Sequence, residues 1–231
     1  MNDNWKKRGG TAIIIKKNIA FNHICFGDNN SILEKTIVSI KLKNDNKLFV
    51  ISVYARKGNQ NEFVSELNQL FEHLDLGNPS HYFIIAGDFN AKHTDWANIN
   101  NNERGIKFKN WLDNNVIRYK INLYGSDSPS YPRGHSFIDL ALADARISIS
   151  EKSPSKLATL PFDSDHKALI FNASIDDGEI DLVNINVNSN LNYNRANWKK
   201  FQKILNNVKL EIPNNRNLIN SEIDSFLDKT P

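Results

Sequence analysis

HYFIIAGDFNAKHTDWA, residues 81–97, decides how this chain is read. Tyr82–Ala86 is a short, nearly all-apolar run, the pattern of a strand covered on both faces. Gly87, Asp88 and Asn90 follow at once, so a carboxylate and an amide stand where a strand hands over to a loop. In an α/β protein such positions gather on one rim of the sheet, where ligands bind. Alone, Gly-Asp-x-Asn is a common turn, because Asp and Asn side chains hydrogen-bond the nearby backbone. Its neighbours add weight. Tyr54 closes the apolar run LFVISV (48–53), Ser136 and Asp139 sit in HSFIDLAL (135–142), and Asp165 and His166 precede KALIFNA (167–173). Carboxylates, one His, one Asn and one Tyr on a single rim are the groups needed to hydrolyse a phosphodiester with a hard metal ion.

Outward from this stretch the chain alternates between the two periodicities. Upstream, Thr36–Leu42 and Leu48–Tyr54 read as an antiparallel hairpin closed by the polar turn Lys43–Asn46. Thr11–Ile15, behind Gly9 and Gly10, reads as a short β-rich run. Phe63, Leu67, Leu70, Phe71 and Leu74 recur at helical spacing, which predicts an amphipathic helix over 61–74, stopped by Gly77, Asn78 and Pro79. Downstream, a polar loop is expected from Gly87 to about Asn102. A helix over 104–115 follows, with Phe108, Trp111 and Leu112 on one side. Then come an extended piece at 121–123, a proline-bearing loop at 125–134, and strands at 137–143, 147–151 and 167–175. Composition changes at Asp176–Gly178. The expected division is a folded domain over 1–176 and an Asn-rich linker with two short helices, near 197–208 and 219–227, over 177–231.

Composition excludes several classes. The single cysteine, Cys25, rules out an internal disulfide and any zinc cluster built on cysteine. A reducing, intracellular compartment fits that usage. No apolar run approaches the ~20 residues that span a bilayer, so no membrane partner is expected. MNDNWKKRGG lacks the apolar stretch of a secretory signal. The formal charge of +3 permits contact with phosphate backbones without demanding it.

Taken together, RGGTAIII (8–15), SVYAR (52–56), IIAGDFNAKHTDWA (84–97), RGIKF (104–108), HSFIDLAL (135–142) and FDSDHKALIF (162–171) resemble a known group. It is the exonuclease–endonuclease–phosphatase superfamily, shared by apurinic endonucleases and DNase I-like enzymes. More narrowly, the chain resembles the endonuclease domain of jockey-type non-LTR retrotransposons. YNRANWKKF (193–201) resembles the segment that leads from such a domain toward a reverse transcriptase. The resemblance implies an α/β sandwich of two mixed sheets packed face to face, with helices outside. It also implies roles. Asp88 would accept the proton of the attacking water or hold the metal. Asn90 would orient that water or a phosphate oxygen. His166 would donate to the scissile phosphate, with Asp139 holding its imidazole. Tyr54 would hydrogen-bond a phosphate oxygen, Asp165 would bind or support the metal, and Ser136 would support its loop. The implied metal is magnesium, with manganese as the alternative. Arg56, Lys57, Lys92, His93, Arg104, Lys107 and Arg133 would contact the backbone of double-stranded DNA, against the plainer reading of solvated or structural side chains. The loop 125–134, with Tyr131, resembles a hairpin placed in the minor groove, where DNA shape sets preference. The implied partner is the reverse transcriptase of the same element, and the compartment is the nucleus.

One departure stands out. In the superfamily two strands and a helix precede the segment matching RGGTAIII, and they carry an active-site Asn and a metal-binding Glu. Here eight residues precede Gly9. The expectation is a domain truncated at its N-terminus, with weak magnesium binding and activity reduced or absent, nicking far more slowly than an extended version. Glu34 is the nearest glutamate, but its position matches a strand region away from the rim, so it receives no role. Two other readings stay open: a catalytically dead fragment that binds nucleic acid, and a phosphodiesterase acting on a small molecule or lipid head group.

Overall fold

The structure is a computed structural model that describes residues 10–27, 30–149, 156–158 and 164–175. Arg8, the segment 193–201 and everything expected beyond residue 177 lie outside the described residues. The elements in chain order are β1 (Asn22–Ile24), β2 (Leu33–Lys41), β3 (Lys47–Ala55), α1 (Gln60–His73), β4 (His81–Asp88), α2 (Glu103–Tyr119), β5 (Ile121–Tyr124), β6 (Asp139–Asp144), β7 (Ile147–Ile149), β8 (Lys156–Ala158), β9 (Ala168–Ile170) and β10 (Ala173–Ile175). Six of the strands form one sheet in the order β1-β2-β3-β4-β6-β5. Among the described residues of this sheet only β3 and β4 run parallel, joined by the crossover helix α1.

Alternation along β3 explains the layering. Phe49, Ile51, Val53 and Ala55 turn to one face and join a core with Phe63, Leu67, Leu70 and Phe71 of α1 and Phe108, Trp111 and Leu112 of α2. Leu48 and Val50 turn to the other face, where Ile40, Leu42, Tyr82 and Ile84 meet Ile147, Ile149 and Ile175 of the two-stranded β7–β10 sheet. Helices therefore cover one side and a second sheet the other, as an α/β sandwich of this class requires. The central strand β4 is apolar on both faces for that reason, as its sequence predicts.

Most expected elements are present, with shifted ends. The hairpin of β2 and β3 closes through a short 3-10 turn at Lys43–Asp45. Helix α2 runs four residues past the expected Asn115, because Tyr119 is buried and packs its ring against Phe71. Lys120 then ends it in the left-handed conformation. Two expectations fail. Thr11–Ile15 joins no strand; Thr11 instead bonds the Thr36 hydroxyl at 2.8 Å. The single strand expected at 167–175 is two strands, β9 and β10, which pair with different partners. β1 and β8 were not legible, being three residues each and too short to show a period. The strand expected to reach Glu151 is described only to Ile149.

Gly87 has a physical reason to precede Asp88. Its φ is +150°, and an added Cβ would lie 1.9 Å from the carbonyl oxygen of Val53 on the neighbouring strand. Only glycine lets β3 and β4 approach this closely at the rim.

Candidate active site

Register brings the rim residues into one row. Tyr54 lies opposite Asp88 across the parallel β3–β4 pair, and Asp88 lies opposite Asp139 across the antiparallel β4–β6 pair. Directly paired residues project to the same face of a sheet, with strands about 4.8 Å apart. That face is the one turned toward the second sheet, at the end where β3 and β4 finish.

The loop after β4 folds back on this row. Asp88 Oδ1 accepts from the Asn90 amide at 2.8 Å, and Asp88 Oδ2 accepts from Asn90 Nδ2 at 3.1 Å. Asn90 Nδ2 also donates to the Ala55 carbonyl at 3.0 Å, which ties the loop to the residue after Tyr54. Burial pushes the Asp88 carboxyl up to about 6. The Asn90 amide opposes that rise, neighbouring Asp139 adds to it, and His166 and Arg104 oppose it. A carboxyl in this range is ionised at neutral pH yet basic enough to take a proton.

His166 Nδ1 lies 2.9 Å from Asp139 Oδ2. An ionised carboxylate only accepts, so Nδ1 donates and Nε2 is left for a substrate. The Tyr131 ring stands beside the imidazole, centroids 5.1 Å apart. The loop 125–136 secures this pair through Ser130, which is 0% exposed. Ser130 Oγ accepts from the amides of Ile138 and Asp139 at 3.3 and 3.2 Å, and its carbonyl accepts from the Lys167 amide at 2.8 Å. Ser136 bonds the Gly134 carbonyl at 2.6 Å, a support for the loop. Sequence reading missed Ser130, which looks like any loop serine. Ser130→Ala should strand two buried amides and cost about 1–2 kcal/mol. A urea titration would measure that loss, and an unchanged midpoint would show the hydroxyl to be idle.

Several residues expected to face DNA are otherwise engaged. Arg104 is the clearest correction: it is 4% exposed, and its guanidinium bonds backbone carbonyls inside the protein. Arg56 donates to the Ser31 carbonyl and places Nε 3.2 Å from Glu34. Lys107 reaches Asn61 of α1 at 2.7 Å, on the helical side of the sheet rather than at the rim. His93 Nδ1 accepts from the Asp95 amide at 3.1 Å and its ring packs beside Trp96, so it shapes the 3-10 turn Thr94–Trp96. Lys92 is half-buried, while Lys57, Arg133 and Asp165 are exposed. Glu34 also needs correction. It lies directly opposite Tyr54 across β2 and β3, on the rim row and not away from it.

Among the described residues no three His, Cys, Asp or Glu side chains gather as a ready cage for a metal. The rim's donors are nonetheless hard oxygens, and magnesium needs only one or two carboxylates beside waters and phosphate oxygens. The raised Asp88 carboxyl marks a negative charge short of compensation, which a cation would supply. The donor set fits a hard divalent ion.

Residues 48–170 match the family model described as endonuclease–reverse transcriptase. No curated protein matches the sequence. Among solved structures, the endonuclease domain of TRAS1, a telomere-specific non-LTR retrotransposon, is similar at a TM-score of 0.46 and 15% identity, over 67% of this chain and 66% of that one. The cytolethal distending toxin of Haemophilus ducreyi is similar at 0.40 and 15% identity, over 66% and 57%. A humanized TDP2 of D. rerio is similar at 0.35 and 15% identity, over 67% and 64%. The match thus spans less than two thirds of these chains' own lengths.

Proposed function

This chain belongs to the endonuclease–reverse transcriptase family of the exonuclease–endonuclease–phosphatase superfamily, and from that premise we propose that it is the endonuclease domain of a retrotransposon polyprotein, a divalent-metal-dependent enzyme that nicks double-stranded DNA. The observation that carries the reading is the Asp139–His166 pair at 2.9 Å, with Asp88 opposite Asp139 on the next strand. A base, an oriented imidazole and a tyrosine on one row match the demands of in-line phosphodiester hydrolysis. Asp88 takes the proton of the attacking water, and Asn90 holds the Asp88 carboxylate in place. His166, as imidazolium, donates from Nε2 to a phosphate oxygen, and Asp139 stabilises that charge. Tyr54 donates to an oxygen that gains charge in the transition state. Asp165 would hold the magnesium, or manganese in its place, with Asp88 as a ligand in the alternative where it is not the base; the ion when bound would lower the pKa of a water and offset phosphate charge. The partners in this reading are double-stranded DNA and a reverse transcriptase of the same element, and the compartment is the nucleus. Lys57, Lys92 and Arg133 remain as candidate phosphate contacts.

The test is supercoiled plasmid incubated with residues 1–231 in magnesium. The expected result is conversion to the nicked circle, abolished by EDTA. Salt-dependent DNA binding with no metal-dependent cleavage would sink the enzyme reading and leave a nucleic-acid-binding fragment.

A further inference from the structure

Arg104 sits in the first turn of α2 and reaches beneath the rim. Its Nη1 donates to the carbonyls of Ala55 at 3.0 Å and Phe89 at 3.4 Å. Its Nη2 donates to the Arg56 carbonyl, and Nε donates to Gln60 Oε1 at 2.7 Å. Ala55 follows Tyr54, and Phe89 lies between Asp88 and Asn90. One planar fork therefore joins the ends of β3 and β4 at the two points that carry the site. Asn90 shares the same Ala55 carbonyl. Among the described residues no carboxylate forms an ion pair with this guanidinium, and Asp88 and Tyr54 are the groups that feel its charge. A buried cation held by neutral carbonyls is expensive, and bracing alone does not require a charge.

Gly105 supplies an independent observation. A Cβ there would lie 1.8 Å from the Lys92 carbonyl oxygen, so the first turn of α2 rests backbone on backbone against the loop after Asn90. Asn102 stitches the same contact. Its Nδ2 donates to the Asn90 carbonyl at 2.9 Å, and its Oδ1 accepts from the Lys92 amide at 2.9 Å. The helix start and the active-site loop form one joint.

We propose that Arg104 and Gly105 are positioning residues. Gly105 lets α2 dock on the Asn90–Lys92 loop, and Arg104, acting through the Ala55 and Phe89 carbonyls, holds Tyr54, Asp88 and Asn90 in the register that phosphodiester hydrolysis needs. The catalytic half of this statement rests on the nuclease reading; the joint itself does not.

The experiment compares wild type with R104K, R104M and G105A as full chains. It measures plasmid-nicking kcat and KM, and backbone hydrogen exchange without DNA or metal. Lysine is a point charge and cannot replace a fork that reaches four acceptors. All three variants are expected to lose about 100-fold in kcat, the scale of a small misplacement, with KM little changed. Exchange over 53–57 and 88–93 is expected to rise about tenfold or more, with the centre of β2 and β3 unaffected. G105A should share the defect although alanine is the better helix former. Wild-type behaviour of R104K would overturn the fork, leaving only a charge. Faster exchange spread evenly over the sheet, or failure of both Arg104 variants to fold, would overturn the positioning role in favour of a general brace. If wild type does not nick, the nuclease reading fails separately, and the exchange pattern alone decides whether the joint exists.

Discussion

Replacing His166 with alanine is expected to lower plasmid nicking by about 10²–10⁴-fold, the range for loss of a positioned proton donor. The effect should fall on kcat, because the imidazole does its work as charge builds on the phosphate. The side chain is partly exposed and its described polar partner is Asp139. The fold should therefore survive, and circular dichroism should match wild type. Asp139→Asn makes the companion variant. An amide can turn its NH₂ toward Nδ1 or favour the wrong tautomer, so the loss should approach that of His166→Ala. A His166→Ala protein that nicks at the wild-type rate would show that the row of side chains on this rim is not the reaction centre, whatever its family.

Asp88→Asn separates activity from stability. Nicking should vanish, since an amide cannot accept the water's proton. Stability should move the other way, and the sign follows from the raised carboxyl. Folding lifts this group from 3.8 to about 6, so the native state binds the proton more tightly than the unfolded chain. Its contribution is most favourable at low pH and is lost as pH rises between those two values. Above about 6 the native state carries a fixed penalty of roughly 3 kcal/mol, from two pH units at about 1.4 kcal/mol each. Asparagine removes the charge but loses the bond from Asn90 Nδ2, worth about 1 kcal/mol. The variant should therefore gain on the order of 1–2 kcal/mol over wild type at pH 7.5. Near pH 4 the advantage should disappear. Paired urea titrations at the two pH values measure it, with added metal excluded. An equal difference at both would mean that burial does not perturb Asp88. The strained wild-type charge would then be no functional feature of the rim.

These two variants draw on different layers of information. Asp88, Asn90, Asp139 and His166 could be named from the chain because each stands at the end of a strand whose pattern is local. An apolar run of four to eight residues followed by Gly-Asp-x-Asn needs no partner to be seen. The amphipathic helix over 61–74 was legible for the same reason, and α1 spans Gln60–His73. Arg104 was misread because a charged residue at a helix start is usually solvated. Its true partners, Ala55 and Phe89, lie 49 and 15 residues away. Glu34 was set aside because its position was matched to a strand region away from the rim; only the pairing of β2 with β3 shows that it faces Tyr54.

The amino-acid order by itself determined the longer elements and the kinds of chemical group at their ends, since both arise from periodicities and turn preferences a few residues long. Tertiary structure alone decided which carboxylate is desolvated, which arginine is withdrawn from solvent, and that Ser130 holds Asp139 and the segment beside His166 together. Those properties belong to distances between strands and loops far apart in the chain. They come into being only when the sheet closes its register and burial strips water from the groups it encloses.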